Sequence, residues 1–331
     1  MPTMRAMALT SSVVVCTFNG IRYLPSLWES VLAQSRLPDE IVVRDDASMD
    51  GTPAMLGELR DRATVRGIQV RLLFGDTNVG YVANFETALK AASGDVLFLC
   101  DQDDVWHASK LATQMHEFDC RPELRFLCSD ARRVDAAGVG LRRSLFDVLK
   151  VTSSEFRRIH ASRGFEVLLR RSLATGATVA LRRSLAIEAM PFAPGWVHDE
   201  WLAILAAARD GFDCLEEALI DYRQHDANQI GMPDRNLRQK WNDLVDPRAA
   251  KVDALVRRSE VLLQRLRDMP GVKPDYLEMA LQKLEHLRIR QRFRGPPWRR
   301  ARGVVRESLG GRYRLYSSGW RSALRDLLRH A

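Results

Sequence analysis

Three carboxylates within four successive positions, Asp101, Asp103 and Asp104, have the residue types and the spacing for metal chemistry. They directly follow the apolar run 96–100, which predicts a buried strand ending at the carboxyl edge of a sheet, where open α/β folds bind ligands. Carboxylates this close together repel one another unless a cation lies among them. The spacing therefore predicts a site for Mg²⁺ or Mn²⁺ that also holds substrate phosphates, with a solvated acidic turn or a helix N-cap as the alternative.

Two earlier predicted strands, 12–17 and 40–44, also end in polar residues. The residues at these ends are Thr17, Phe18, Asn19, Asp45 and Asp46. Helical spacing separates the strands, and this alternation predicts a doubly wound, mostly parallel α/β sheet whose strand ends converge on one edge. The first strand is not followed by a Gly-x-Gly-x-x-Gly, and the chain contains no P-loop motif. Both absences disfavour dinucleotide-dependent dehydrogenases and P-loop NTPases.

Length and composition are those of a folded protein. The 331 residues, 46% hydrophobic and 28% charged, suffice for a large α/β domain with an appendage, or for two domains, and do not indicate disorder. No apolar run approaches the ~20 residues of a membrane-spanning helix. Residues 1–10 lack the apolar region of a secretory signal, so a cytoplasmic protein is expected. The five cysteines lack a Cys-x-x-Cys pair, which predicts reduced thiols rather than a zinc site.

Positive charge is concentrated near the end of the chain. Residues 281–331 contain 14 lysines and arginines against three acidic residues, whereas the net charge of the whole chain is +8. Seven of the arginines lie in 288–302, interleaved with Phe293 and Trp298. This pattern favours binding to the anionic inner face of a membrane. A nucleic-acid surface, an oligomer contact and a merely solvated appendage are the alternatives.

Four motifs together resemble family 2 glycosyltransferases of the GT-A fold. They are the strand ends Thr17-Phe18-Asn19-Gly20 and Asp45-Asp46-Ala47-Ser48, the segment Asn78-Val79-Gly80-Tyr81 and the Asp-x-Asp strand. Cys16 stands where the family normally has proline, a change that removes no contacting group. Asn84-Phe85 and the string 101–106 resemble more specifically the bacterial rhamnosyltransferase-like branch. The similarity covers roughly residues 11–231, which implies a GT-A catalytic domain over 1–232 and a basic helical C-terminal extension over 233–331.

The resemblance also implies roles for individual residues. The donor nucleotide sugar would be bound by Thr17, Phe18, Asn19, Asp46, Asn84, Asp101 and Arg223. Asp46 would accept a hydrogen bond from the N3–H of uracil or thymine, unless it only caps a helix with Asp45 and Ser48. The metal ligands would be Asp101, Asp103 and His225. Arg223 would neutralise the leaving diphosphate, with pairing to Asp221 or Asp226 as the alternative.

Asp199 matches the general base of the family, and helix capping is again the alternative. The implied reaction is inverting, metal-dependent transfer of a sugar, with rhamnose expected, from a dTDP- or UDP-sugar. The acceptor would be a saccharide or a lipid-linked saccharide in cell-surface polysaccharide synthesis. A nucleotidyltransferase of similar sheet type would need a Gly-rich first turn and a phosphate-facing lysine, which the segment after Thr17 lacks. A nucleic-acid-binding protein is disfavoured because the body of the chain is acidic, so no nucleic-acid partner is expected.

Overall fold

The computed structural model describes residues 8–225, 249–293 and 296–328. Its first half follows the predicted alternation of strands and helices. The elements are β1 (Ser11–Thr17), α1 (Leu24–Leu32), β2 (Glu40–Asp45), α2 (Thr52–Thr64), β3 (Gln69–Phe74), α3 (Tyr81–Ala91) and β4 (Val96–Asp101). Strands β1 and β4 are almost wholly buried because they are central in the sheet and apolar on both faces.

The following segment adds further strands and helices on the other side of β4. These are β5 (Val105–Trp106), α4 (Lys110–Cys120), β6 (Phe126–Val134), α5 (Leu145–Leu149), α6 (Ser153–His160), α7 (Gly164–Arg170), β7 (Ala180–Arg182), α8 (Arg183–Ala189), α9 (His198–Ala207) and β8 (Phe212–Arg223). Helices α5 and α6 begin with capping boxes, at Ser144 and Thr152 respectively. Each box satisfies amide groups that a helix start otherwise leaves unpaired.

Among the described residues, eight strands form one sheet in the order β3-β2-β1-β4-β7-β6-β8-β5. Strands β3, β2, β1 and β4 are parallel neighbours, as are β6 and β8. Strand β7 is antiparallel to β4 and β6, and β5 is antiparallel to β8. The predicted mostly parallel sheet is therefore confirmed. Its register sets Thr17 opposite Asp45 and Cys16 opposite Asp101, so the polar strand ends do share an edge.

The two faces of the sheet bury separate apolar layers. Alternate residues of β1 point to opposite faces, as strand geometry requires. Val13 and Val15 pack in the layer with α1 and α2, whereas Val14 packs with Phe85 of α3 and Trp201 of α9. Each helix that carries a functional side chain is thereby held against the sheet.

Helices continue after residue 248. They are α10 (Ala249–Asp268), α11 (Pro274–Gln291), α12 (Pro297–Leu309), α13 (Arg312–Tyr316) and α14 (Trp320–Leu328). Leu263 of α10 and Leu287 of α11 belong to the same apolar layer as α3 and α9. None of the described helices has both the length and the apolar character required to cross a bilayer. The predicted domain boundary after residue 232 lies outside the described residues.

Candidate active site

The ends of β1 and β2 are joined through the carboxylate of Asp45. Its Oδ2 accepts hydrogen bonds from Thr17 Oγ1 at 2.7 Å and from Ser48 Oγ at 2.6 Å, and its Oδ1 accepts one from the Ser48 amide at 2.9 Å. Asp45 is thus the member of the acidic pair that partners Ser48. Because Thr17 donates to Asp45, it supports the strand end with its side chain.

Asp46 organises the segment 78–81 across the same edge. Its Oδ1 accepts from the amide of Val79 and its Oδ2 from the amide of Gly80, each at 2.9 Å. Each carboxylate oxygen has a further lone pair, so acceptor capacity remains. Beneath it, the buried Asn84 donates from Nδ2 to the carbonyl of Arg44 at 3.0 Å. The contacts with the nucleotide-sugar donor that are expected of Asp46 and Asn84 stay predictions. The described contact of Asn84 is with the backbone near the end of β2.

Gln102 joins the end of β1 to the end of β4, a role that the sequence did not reveal. The Phe18 amide donates to its Oε1 at 2.8 Å, and its Nε2 donates to the Phe18 carbonyl at 3.0 Å. A Cβ on Gly20 would lie 2.2 Å from Oε1, so only glycine fits there without moving the amide group. Asn19 has a φ of 49° and binds the Met49 amide through Oδ1 at 3.0 Å. The only signal for Gln102 was its place between the two Asp-x-Asp carboxylates.

The end of β8 meets the acidic strand end. His225 Nε2 lies 2.8 Å from Oδ2 of Asp103, and Arg223 donates from Nε to the carbonyl of Asp103 at 2.8 Å. The Arg223 amide also donates to Oδ1 of Asp104 at 2.9 Å. Tyr23 stacks on the His225 ring at a centroid distance of 4.8 Å, and the Arg223 guanidinium lies 4.9 Å from the Tyr23 centroid.

Asp221, one alternative partner for Arg223, binds Arg132 and His107. Asp226, the other, lies outside the described residues. The described contacts of Arg223 include those with Asp103, Asp104 and the carbonyl of Ala136, to which its Nη1 donates at 3.1 Å. Its expected contact with a leaving diphosphate stays a prediction.

Close packing of acids perturbs their proton affinity. Burial raises the pKa of Asp101 to about 7, and the negative charges of Asp103 and Asp199 contribute to the increase. Burial, followed by the negative charges of Asp103 and Asp101, raises the pKa of Asp104 well above its usual range. Lys110 opposes these effects: its buried ammonium donates to the carbonyl of Ala177 at 2.9 Å, and burial lowers its pKa to about 8. The site has a strong electrostatic preference for an additional cation.

Asp199 lies in the first turn of α9, whose cap position is occupied by Val197. Its Oδ2 accepts from the Gly176 amide at 2.8 Å and its Oδ1 from the Glu200 amide at 2.7 Å. Burial, followed by the charge of Glu200, raises the pKa of Asp199 to about 7. Because its charge also raises the pKa of Asp101, Asp199 is electrostatically coupled to the end of β4.

His198 is a further buried group that the sequence did not indicate. Its ring stacks on Phe85 at 4.2 Å, and neither ring nitrogen has a hydrogen-bond partner in the described part of the chain. Burial lowers its pKa to about 3, so the ring is neutral. A Cβ on Gly176 would lie 3.1 Å from its Nε2, which explains the small residue at this turn.

The described residues fit a metal ion that obtains its remaining ligands from the donor diphosphate and water. Within residues 8–225, 249–293 and 296–328, no group of three or more His, Cys, Asp or Glu side chains could hold a metal ion alone. Asp103 Oδ2 and His225 Nε2, hydrogen-bonded at 2.8 Å, place one oxygen and one nitrogen atom side by side, and these two atoms would be the protein's contribution to a metal site. Mg²⁺ typically takes one or two protein carboxylates and obtains its other ligands from water and substrate phosphates.

With this geometry described, comparison with known proteins decides the family. Residues 12–188, more than half of the chain, match the family described as Glycosyl transferase family 2. The chain belongs to glycosyltransferase family 2. This family 2 protein is therefore a glycosyltransferase, as predicted, and glycosyl transfer is favoured over nucleotidyl transfer and nucleic-acid binding.

One similar protein and two similar structures illustrate the relationship. The family 2 chain is 25% identical to the Escherichia coli UDP-Glc:alpha-D-GlcNAc-diphosphoundecaprenol beta-1,3-glucosyltransferase WfgD, over 71% of this chain and 85% of WfgD. It superposes on S. aureus TarS 1-349 in complex with UDP-GlcNAc with a TM-score of 0.58 and 17% identity, covering 84% and 72% of the two chains. Mannosyltransferase PcManGT from Pyrobaculum calidifontis, in complex with GDP-Man and Mn²⁺, gives 0.51 and 18%, covering 98% and 86%. These likenesses confirm the α/β GT-A fold.

Proposed function

We propose that this protein is an inverting, metal-dependent glycosyltransferase that uses a dTDP- or UDP-sugar, with rhamnose as the expected sugar. One observation carries the proposal. Asp199 at the start of α9 is buried and accepts from the Gly176 amide, and the turn that follows Gly176 is joined to β4 by the hydrogen bond from the Leu99 amide to the Val179 carbonyl. The proposed base and the carboxylates that would bind the metal therefore lie at the same edge of the sheet, as sugar transfer requires.

The nucleotide would bind over the ends of β1 and β2. Phe18 is 39% exposed beside the Gln102 contact, and Asp46 is held by two backbone amides. A fixed carboxylate acceptor favours the single imide donor of uracil or thymine over cytosine, which would leave it unpaired. TarS, described with UDP-GlcNAc bound, supports a uracil nucleotide.

The diphosphate would lie at the ends of β4 and β8. Of the predicted ligands Asp101, Asp103 and His225, the neighbouring pair Asp103 and His225 would hold Mg²⁺ or Mn²⁺ together with the donor diphosphate, with Asp101 as a further ligand or a contact to the ribose. PcManGT, described with Mn²⁺, supports a divalent ion. When bound, the ion supplies positive charge for the leaving diphosphate. Arg223 adds a guanidinium beside Asp103, which strengthens the same stabilisation.

Asp199 would take the proton of the acceptor hydroxyl as that oxygen forms a bond to the anomeric carbon. The bond between that carbon and the diphosphate oxygen breaks on the opposite face, and the nucleoside diphosphate leaves with the electron pair. The anomeric configuration is thereby inverted. A pKa near 7 makes Asp199 a stronger base than an ordinary carboxylate while leaving much of it deprotonated at neutral pH.

The acceptor would be a saccharide or lipid-linked saccharide in cell-surface polysaccharide synthesis. WfgD, named for a diphosphoundecaprenol-linked acceptor, supports the lipid-linked form. Trp298 and Trp320, at the starts of α12 and α14, are 74% and 71% exposed, next to several arginines. Aromatic and basic side chains together suit the anionic inner face of a membrane. We divide the chain into a catalytic domain over 1–232 and a C-terminal extension over 233–331. The extension, through its segment 288–302, would thus hold the catalytic domain at that surface. An oligomer contact is the alternative role of this segment.

Two substitutions in the full chain test the proposal. Thermal shifts with UDP- and dTDP-sugars, with and without Mn²⁺, first identify a donor. Asp103→Asn should lose the metal-dependent shift, whereas Asp199→Asn should keep it and lose about 10²–10⁴ in turnover. Asp61→Asn on the exposed face of α2 is the matched control. Full activity in Asp103→Asn would refute the metal assignment, and lost donor affinity with normal turnover in Asp199→Asn would refute the assigned base.

A further inference from the structure

A cavity of about 210 Å³ lies among the C-terminal helices, next to α7. Five cationic side chains line it: Arg170, Lys251, Lys283, Arg290 and Arg325. Asp326 is the acidic residue among the described lining residues. We refer to this space as the basic cavity, and it contains none of the residues assigned to the donor.

The nearby carboxylates do not balance this charge. Asp326 accepts from Arg290 Nε at 2.6 Å and from the Tyr313 hydroxyl at 2.7 Å, so one arginine already neutralises it. Glu155, behind the cavity wall, pairs with Arg170 at 2.5 Å and also with Arg171 at 2.8 Å. One carboxylate is thus shared by two guanidinium groups, so Glu155 offsets only part of the positive charge of Arg170 and Arg171.

Lys283 is the residue that most clearly indicates an anion site in the basic cavity. Its Nζ donates to the carbonyl of Leu169 at 2.6 Å, and within the described ranges it has no carboxylate partner. Burial lowers its pKa to about 8, the charge of Arg258 lowers it further, and the more distant charge of Glu200 offsets part of this decrease. Lys251, at the exposed rim, likewise has no ion pair with any residue that the structure describes. An anion would satisfy both ammonium groups.

Hydroxyl groups complete the polar wall. Ser322 Oγ accepts from the Ser318 amide at 3.1 Å and retains its own O–H as a donor. The Ser317 hydroxyl is already used inside the wall: it accepts from Arg290 Nη1 at 2.8 Å and lies 3.2 Å from His286 Nε2, whose other ring nitrogen binds Glu307. Ser322 lies in the first turn of α14, whose N-terminal end also favours negative charge. Multiple cationic and hydroxyl donors converging on one space are typical of phosphate recognition.

We propose that the basic cavity binds the phosphate of a phosphoryl ester, at a site separate from that of the donor diphosphate. The ester is either a soluble phosphorylated compound or the headgroup of a membrane lipid. This second site does not depend on the donor chemistry, and its occupancy can be measured without turnover.

Inorganic pyrophosphate is the probe, titrated into the full chain by calorimetry with EDTA present, so that no divalent ion recruits it to the donor site. The double variant Lys251→Gln/Lys283→Gln should lose at least about tenfold in affinity, since two charge-assisted contacts disappear. The single rim variant Lys251→Gln, which changes only an exposed side chain, should lose several-fold. Lys90→Gln on α3 is the matched control and should bind as the parent does.

Phosphatidylcholine vesicles with and without phosphatidic acid distinguish the two sources. Cosedimentation with phosphatidic acid that falls in the double variant identifies a lipid phosphate, and unchanged cosedimentation together with lost pyrophosphate binding identifies a soluble ester. Equal pyrophosphate affinity in the double variant and Lys90→Gln would overturn the proposal. So would a loss of pyrophosphate binding in Arg223→Gln, because Arg223 is the cation assigned to the donor diphosphate and that result would locate the anion at the donor site.

Discussion

Replacing Glu200 with glutamine should move the acidic limb of the activity profile to lower pH. Under the proposed mechanism transfer requires deprotonated Asp199, so activity is expected to rise as pH passes through its pKa of about 7. The charge of Glu200 is the second cause of that raised pKa, after burial. Glutamine removes the charge and keeps a similar shape, so the pKa of Asp199 should fall.

The size of the shift follows from the charges nearby. Two carboxylates on adjacent, mostly buried residues interact by about 2 kcal/mol at an effective dielectric constant near 20. Arg258, which forms an ion pair with Glu200, cancels part of this repulsion. About 1 kcal/mol remains, which corresponds to a decrease of about 0.7 in the pKa of Asp199.

The assay is initial rate against pH at saturating donor and metal. Asp101 has a similarly raised pKa, but Glu200 is not among its causes, so a shift identifies Asp199. Glu188→Gln, which removes an exposed carboxylate paired with Arg125 and Arg209, is the control. An acidic limb that stays in place in Glu200→Gln, or moves equally in Glu188→Gln, would refute Asp199 as the titrating base.

Three further outcomes test the supporting structure. Asp101→Asn should raise the melting temperature at pH 8 without divalent ions. The free energy of unfolding should increase by at most about 4 kcal/mol, because the pKa of Asp101 is near 7 in the folded chain and exceeds its value in the unfolded chain. That gain should disappear by pH 4, where the native carboxyl is already protonated, and an unchanged melting temperature at pH 8 would contradict it. Gly20→Ala should weaken donor binding about tenfold in calorimetry, because its Cβ would displace Gln102, and Gly57→Ala, with open space around it, should not. Gly94→Ala should lower the free energy of unfolding by about 1–3 kcal/mol, and with it the denaturation midpoint, because the added Cβ would lie 2.8 Å from the backbone of β1. An unchanged midpoint would contradict that close packing.

Much of the fold was predictable because its signals are local. The β-branched run of β1, the apolar run of β4 and the helical spacing between them each lie within a few consecutive residues. The sharp changes from apolar to polar residues at Thr17, Asp45 and Asp101 also marked where the strands end. Strand β6 and the helices α5 to α7 had no such prediction, since the segment 121–172 is rich in charge and lacks a clear period.

Pattern alone therefore established a parallel α/β sheet with acids at one edge, because strand period and strand ends are properties of neighbouring residues. It did not establish which distant side chains would meet there. Asp103 reaches His225 because β8 returns beside β6, and Asp199 is coupled to Asp101 because α9 packs across the sheet. The Gln102 bridge and the basic cavity depend on register and helix packing in the same way. Such contacts join residues far apart in the chain, and only folding decides which of them come together.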